Sequence, residues 1–256
     1  MKILLPFALL FASNAALAND SIQHQIDFGV SDLYDFDDHF VGLAYTYLFE
    51  DIANVRGPHN LKAYINRIDS LTTRALVLDE FYDIDVGYTH YFDNNLVFRG
   101  EVEYARDNHF DDHYVRVAGE LGNHITPNLQ LGVGATYLYR NETDYIGNQD
   151  SSNNWRLSPY IRYTKIMNGQ GWDFVFKQIS GKESYYQGRA DYYLSENWYV
   201  GIQAVAQTND FDNNNTELQT QYWFNPHLSF SFGLGAGLGN NDSGFNSVTL
   251  LVTSRF

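Results

Sequence analysis

Charged residues recur at every second position in several segments of this 256-residue chain, and they are its clearest candidates for chemistry. In 95–105, for example, Arg99, Glu101 and Glu103 alternate with less polar residues. Side chains two positions apart point to the same face of a strand, so each series predicts one charged strand face. The candidate residues on such faces are Arg99, Glu101, Glu103, Arg116, Glu120, Arg156, Tyr160, Arg162, Arg189 and Asp191.

These charged faces must turn away from lipid if the strands cross a membrane. A lipid-facing Arg or Lys at mid-bilayer costs roughly 2–4 kcal/mol, so we expect the candidate side chains to line a barrel interior. An interior that carries both signs of charge is wet, and opposed rows of charge would set a transverse field that filters solutes. The alternative is a lumen closed by salt bridges and stacked tyrosines.

Catalysis and metal binding have little support in the sequence. His39, His109 and His113 stand beside Asp38, Asp111 and Asp112, but carboxylates are common in this chain, so we predict no enzymatic activity. The segment 210–215 offers oxygen ligands, yet its spacing matches no established Ca²⁺ loop, so we predict no metal site and no cofactor. The chain has no Cys, which excludes thiolate ligands and disulfides.

The elements that would position the charged faces are about fourteen strands, with twelve as the alternative count. Segments of about ten residues alternate in polarity and are separated by turn residues, which is typical of an all-β, transmembrane, antiparallel up-and-down barrel. No later segment is long and apolar enough to span a membrane as a helix. The predicted strands are 22–30, 39–50, 71–79, 81–92, 95–105, 112–122, 128–140, 153–166, 172–180, 184–194, 197–208, 216–224, 227–238 and 246–256.

The connections between these strands alternate in length, as outer-membrane barrels require. Short turns at 93–94, 123–127, 167–171, 195–196 and 225–226 would be periplasmic, and 106–111, 141–152, 209–215 and 239–245 would be external. The hairpin between 71–79 and 81–92 has almost no loop, so its placement is in question.

Residues 51–70 are long for a periplasmic turn. Leu61, Tyr64, Ile65 and Ile68 stand at helical spacing after Pro58, which predicts a short amphipathic helix that covers the barrel base. An irregular strand is the alternative.

Two stretches resemble known outer-membrane barrels. The last strand ends in Phe256, which resembles the assembly signal that the barrel assembly machinery reads. Residues 57–67 (GPHNLKAYINR) resemble the G-P-x-x-L-x-x-F-L-N-R stretch of a general porin family of Gram-negative bacteria, with Tyr64 and Ile65 as conservative departures. The resemblance implies an outer-membrane porin for the diffusion of small solutes, but it names no solute.

The amino terminus predicts export. Lys2, an apolar stretch and an Ala16-Leu17-Ala18 cleavage site indicate a signal peptide over 1–18, which leaves a barrel domain over 19–256. We therefore expect the protein in the cell outer membrane, surrounded by lipid and lipopolysaccharide.

Composition and charge narrow the partners. The formal net charge is −15, which argues against nucleic acid because phosphate binding needs Lys and Arg. Aromatic residues make up 16% of the chain, and those near strand ends predict interface girdles: Tyr45, Tyr47, Phe92, Trp155, Trp172 and Trp198. The predicted external loops are acidic, which would concentrate cations at the mouth; these residues are Asp32, Asp35, Asp37, Asp38, Asp107, Asp111, Asp112, Glu142, Asp144, Asp150, Asp210 and Asp212.

These observations predict a porin for passive diffusion of small hydrophilic solutes and ions, with a weak preference for cations. Fourteen strands about 4.8 Å apart and tilted by about 40° would leave a channel of roughly 15 Å. One alternative is a selective channel for acidic oligosaccharides along an arginine track (Arg99, Arg116, Arg156, Arg162 and Arg189). Clustering of these arginines on one wall would favour it, and interleaving with carboxylates would favour a general porin. The other alternative is a structural or adhesive barrel without a pore.

Overall fold

The chain folds into a closed antiparallel barrel of fourteen strands. The computed structural model describes residues 21–31, 40–109, 111–143, 149–181, 184–207, 214–238 and 244–256, so the predicted signal peptide lies outside the described residues. The strands are β1 His24–Ser31, β2 Phe40–Leu48, β3 Ser70–Leu78, β4 Phe81–Tyr91, β5 Leu96–Asp107, β6 Asp112–Thr126, β7 Leu129–Thr143, β8 Gln149–Met167, β9 Gln170–Ile179, β10 Tyr185–Ser195, β11 Trp198–Gln207, β12 Asn215–Asn225, β13 Leu228–Gly237 and β14 Gly244–Arg255.

The barrel closes through its first and last strands. β1 pairs antiparallel with β14, from Gln25 opposite Arg255 to Val30 opposite Leu250. Phe256 continues the seam, since its backbone N–H donates to the His24 carbonyl at 3.0 Å and the two rings stack. The predicted count of fourteen strands and the up-and-down topology are confirmed.

The exterior of the barrel is an apolar belt. Leu43, Val102 and Leu157 are each more than half exposed, and large apolar side chains alternate outward along the strands. Exposure of a continuous apolar surface of this size to water is unfavourable, so the belt faces lipid. The predicted girdle residues Trp155, Trp172 and Trp198 lie on this outer face.

We call the end of the barrel that carries Phe256 the base and the opposite end the mouth. Short turns join the strands at the base, except between β2 and β3. At the base, Asn168 and Gly169 both have positive φ (53° and 80°), which is the backbone of a type I′ hairpin turn. The hairpin between β3 and β4, which the sequence left in question, is present at the mouth. The two strands pair and are joined by only two residues, Asp79 and Glu80.

Strands β7 and β8 extend further toward the mouth than the sequence predicted. β7 and β8 pair as far as Thr143 and Gln149, so the predicted external connection 141–152 is mostly strand. The added residues are polar and lie beyond the alternating stretch. Pairing above the lipid needs no apolar face, which is why hydrophobic periodicity ended the predicted strands too early.

Residues 49–69 join β2 to β3 at the base, and we call them the base segment. A 3₁₀ turn over His59–Leu61 leads into a single helical turn, α1, over Lys62–Ile65. The predicted helix therefore exists but is shorter. It ends before Ile68, because Arg67 adopts a positive φ of 55° and turns the chain toward β3. Ile68 instead packs with Ile22, Leu48 and Ile52 in a small buried cluster.

In the described parts of the chain, no helix combines the length and apolar character that crossing a membrane would require.

Candidate functional site: the lumen and its base

Side chains on strands that are not neighbours meet one another inside the barrel. Lys177 of β9 contacts Glu120 of β6, and Arg99 of β5 lies 3.5 Å from the Tyr160 hydroxyl of β8. Inward side chains converge across a barrel and outward ones diverge, so these contacts are in the lumen. All ten predicted residues point into this interior: Arg99, Glu101, Glu103, Arg116, Glu120, Arg156, Tyr160, Arg162, Arg189 and Asp191.

One wall of the lumen is rich in carboxylates. Arg116 lies between Glu101 and Glu103 and bonds to both, and the Tyr114 hydroxyl donates to Glu103 at 2.5 Å. On the adjoining strands, Arg74 pairs with Asp85 at 2.8 Å. Strands β3 to β6 therefore carry a network in which carboxylates surround the two arginines.

A buried carboxylate organises the opposite wall. Asp173 of β9 is fully buried and accepts two hydrogen bonds from Arg162, both at 2.9 Å. It also accepts from Arg189 at 3.0 Å and from the Thr164 hydroxyl at 2.5 Å. Arg189 in turn contacts Asp191 at 3.1 Å. Because Arg162 and Thr164 of β8 and Arg189 of β10 all donate hydrogen bonds to Asp173 of β9, this carboxylate fixes the positions of both arginines.

Sequence analysis did not single out Asp173 or Lys177. Both lie in β9, where inward positions alternate with the outward aromatic residues Trp172, Phe174 and Phe176. The same period of two that identified the other charged faces was therefore present in this strand and could have identified these two residues.

The arginines are interleaved with carboxylates. Arg99 lies 3.7 Å from Glu120, and Arg116, Arg162 and Arg189 each contact at least one carboxylate. Arg156 lies over the Tyr185 ring, with 5.8 Å between its Cζ and the ring centroid. No uncompensated arginine track lines one wall among these five residues.

The lumen between these walls contains open space. A cavity of about 920 Å³ lies beside Arg162, Lys177, Arg189 and Glu217, and a second of about 510 Å³ lies among Arg74, Arg99, Arg116 and Arg156. Lys177 and Gln187 line both cavities, so they adjoin within the lumen.

The base segment crosses the barrel beneath these cavities. In a ring of fourteen strands, β2 and β3 stand opposite β9 and β10. The His59 N–H nevertheless donates to the Glu196 carbonyl at 2.9 Å, in the turn after β10. The segment therefore spans the lumen from one wall to the other before it returns to β3.

The far end of the base segment is tightly packed. Arg255 donates to the His59 carbonyl at 2.8 Å and to Gln25 at 2.7 Å, and its guanidinium lies 4.2 Å from the centre of a Trp223 ring. The His59 ring also contacts Trp223, at 5.3 Å between centroids. Trp223 is 2% exposed, so the base segment is packed closely against this side of the barrel.

The electrostatics of this contact keep His59 neutral. Burial, together with the positive charges of Lys62 and Arg255, lowers the pKa of His59 from 6.5 to about 4. Burial also lowers the pKa of Lys62, whose ammonium donates to the carbonyls of Ile52 at 3.1 Å and Ala53 at 3.0 Å. The segment thus places basic groups close together, and a proton on His59 would add a further positive charge.

The other side of the base is more open. Tyr64 projects from α1, and the Arg162 guanidinium lies 3.4 Å from the centre of its ring. Arg67 donates to the Asn95 side chain at 2.8 Å. Between the base segment and the turns after β6 and β8 lies a cavity of about 710 Å³, which we call the vestibule; its lining includes Tyr64, His124, Pro127, Thr164 and Asn168.

The residues considered for catalysis are dispersed near the mouth. His113 contacts the rings of Tyr104 and Tyr139, and His109 lies 3.8 Å from Glu80. Among the described residues, no group of three His, Asp or Glu is placed to share a metal ion. Several predicted loop residues lie outside the described residues: Asp32, Asp35, Asp37, Asp38, His39, Asp144, Asp210 and Asp212.

The fold is shared with solved outer-membrane proteins. The structure is similar to the outer membrane protein Omp33 of Acinetobacter baumannii, with a TM-score of 0.69, 16% identity, and coverage of 92% of this chain and 99% of that chain. It is also similar to CdiB of Acinetobacter baumannii, with a TM-score of 0.50, 9% identity, and coverage of 92% and 60%. NanC porin matches with a TM-score of 0.41, 12% identity, and coverage of 91% and 98%. No family model matches the sequence, and no curated protein matches it significantly.

The protein has an outer-membrane barrel fold. Its closed antiparallel sheet, its lipid-facing belt and its likeness to Omp33 agree on this point. The predicted fold is therefore confirmed, and the apolar belt agrees with the predicted outer-membrane location.

Proposed function

We propose that this protein is a porin through which small hydrophilic solutes and ions diffuse passively. The observation that carries the proposal is the lumen, which is lined by charged and amide side chains and contains cavities of about 920 and 510 Å³. A structural barrel has no need of open, charged space in its interior. Diffusion requires no chemical step, so the proposal includes no catalytic residue.

The ten inward residues are the proposed filter. Carboxylates surround arginines on strands β3 to β6, and arginines surround Asp173 on strands β8 to β10. A solute that crosses between the two walls meets both signs of charge at short range, which selects for small polar molecules rather than for one sign of charge.

The interleaving of charges favours a general porin over a selective channel for acidic oligosaccharides. A continuous positive track would need arginines free of carboxylate partners, and Arg99, Arg116, Arg162 and Arg189 each have one.

We propose a weak cation preference for the same pore. The chain carries a formal charge of −15, and the described mouth residues include Asp107, Asp111, Asp112, Glu142 and Asp150. Arg106 and Arg140 compensate two of these carboxylates, at 2.9 Å from Asp111 and 3.0 Å from Glu142. The remaining surplus would raise the local cation concentration modestly, and salt would weaken the effect.

We also propose lipopolysaccharide and the barrel assembly machinery as partners. Phe256 ends the last strand at the barrel seam, stacked on His24, which is where an assembly signal would be read before closure.

The proposed function can be tested with refolded protein in lipid vesicles and planar bilayers. Vesicles with the folded barrel should swell in isotonic solutions of small neutral sugars, and a KCl gradient should give a small reversal potential that favours K⁺. Vesicles that stay impermeable although the barrel is folded would refute the porin. A strong anion preference would refute the cation preference and support the arginine track instead.

A further inference from the structure

Tyr64 stands where the lumen meets the vestibule. Arg162 and Thr164 are successive inward residues of β8: Arg162 lines the 920 Å³ lumen cavity, and Thr164 lines the 710 Å³ vestibule. Tyr64 also lines the vestibule, and its ring lies 3.4 Å from the Arg162 guanidinium. The two cavities are therefore separated at this cation–π contact.

The side of the base opposite the vestibule is packed with buried groups. On the far side, Trp223, Tyr193 and Arg255 are 2%, 1% and 6% exposed, and Arg255 is bonded to the base segment itself. A solute that travels from mouth to base therefore finds open space on the side of β6 to β8, where the vestibule lies.

The Tyr64 ring can leave this position without undocking the base segment. The base segment is held on either side of α1, by the His59 backbone N–H to the Glu196 carbonyl and by the Arg67 side chain to the Asn95 side chain. The vestibule gives the ring room to rotate away from Arg162. Arg162 would stay in place, because two hydrogen bonds of 2.9 Å hold it to Asp173.

We propose that Tyr64 is the residue that sets the size limit of the passage, with Arg162 as the charged group that each solute passes. This inference rests on the proposed porin function and names the narrowest point of that pore. Because Asp173 compensates the charge of Arg162, the contact restricts solutes by size more than by sign.

The first test compares Tyr64→Ala with two matched controls. The alanine variant removes the ring and hydroxyl, so it should admit larger neutral sugars than the wild type and raise the swelling rate of the largest admitted sugar severalfold. Tyr64→Phe keeps a ring over Arg162 and should match the wild type. Tyr185→Ala removes another inward ring beside an arginine, Arg156, in the lumen above, and should leave the size limit unchanged.

The second test uses the fact that the chain has no Cys, so that one introduced thiol reports on one site. Conductance of Tyr64→Cys should fall when a bulky thiol reagent is added from either side of the bilayer. The wild type, which has no thiol, provides the control, because the reagent should not change its conductance.

The outcomes separate this inference from the porin itself. Sugar uptake by the wild type with an unchanged size limit in Tyr64→Ala would overturn the role of Tyr64 and leave the porin standing. Uptake by Tyr64→Ala alone would support the size gate and contradict unaided diffusion through the wild type. Folded barrels that exclude every solute in all variants would overturn both.

Discussion

Asp173→Asn should destabilise the barrel more than any other single change of one lumen carboxylate to its amide. Asp173 is fully buried, and the Arg162 side chain is 13% exposed. Among the described residues, Asp173 is the only carboxylate that accepts hydrogen bonds from Arg162, and it accepts two. The amide keeps the shape but removes the charge and turns one acceptor into a donor that faces an arginine.

The expected cost follows from the partners that remain. Removal of one partner of a buried ion pair typically costs 3–5 kcal/mol. Arg189 keeps Asp191 at 3.1 Å, so we expect the lower end, about 3 kcal/mol, or roughly a hundredfold in the folding equilibrium.

The assay is urea unfolding of the barrel in lipid vesicles, followed by tryptophan fluorescence and by heat-modifiable gel mobility. Glu217→Gln is the matched control, because Glu217 is a less buried lumen carboxylate that accepts a hydrogen bond of 3.2 Å from Gln203. The free energy of unfolding of the control should lie within about 0.5 kcal/mol of the wild-type value. Equal stability of Asp173→Asn and Glu217→Gln would show that Asp173 does not organise this wall.

Three further predictions concern the base and the filter. His59 has a pKa of about 4 in the docked base segment against 6.5 when released, so the released segment binds a proton more readily between these values. The free energy of docking should therefore weaken as pH falls from about 6.5 to 4, by at most about 3 kcal/mol. Limited proteolysis of the segment should report this change, and His59→Gln should abolish its pH dependence. Gly57→Ala should weaken docking of the same segment by about 1–3 kcal/mol, since Gly57 has a φ of 108° and a Cβ there would lie 2.9 Å from Ile65. Proteolysis of the segment should therefore become faster. The control Gly188→Ala has open space around its Cβ and should be cleaved at the wild-type rate. Glu120→Gln removes a carboxylate shared by two cations, so the reversal potential in a KCl gradient should shift toward Cl⁻, and an unchanged potential would show that this site does not face the ion path.

Much of the fold was predictable because membrane strands obey one simple rule. In β13, Leu228, Phe230 and Phe232 alternate with serines and glycine, and lipid on one side and water on the other impose that period of two. The number of strands and the direction of the charged side chains both follow from it. Where the strands leave the lipid, as at the mouth ends of β7 and β8, the rule no longer applies and the predicted boundaries were wrong.

The partners of the inward side chains were less predictable. Alternation predicts that Arg162 faces inward, but not that it meets Tyr64, because this contact depends on how a segment about a hundred residues earlier crosses the base. The resemblance of residues 57–67 to a porin family marked the segment, and helical spacing predicted its short helix. Neither observation specifies that His59 reaches Glu196 on the opposite wall, since that path is set by packing against Trp223 and Arg255.

The most direct test of the pore and its base is single-channel conductance of the wild type beside a variant in which residues 53–66 are replaced by a short Gly/Ser linker. β2 and β3 are antiparallel neighbours, so a short linker can join them. Stable steps from the wild type, and clearly larger steps from the variant, are the predicted result. Folded wild-type barrels without any steps, or equal steps from both proteins, would contradict a pore narrowed by its base segment.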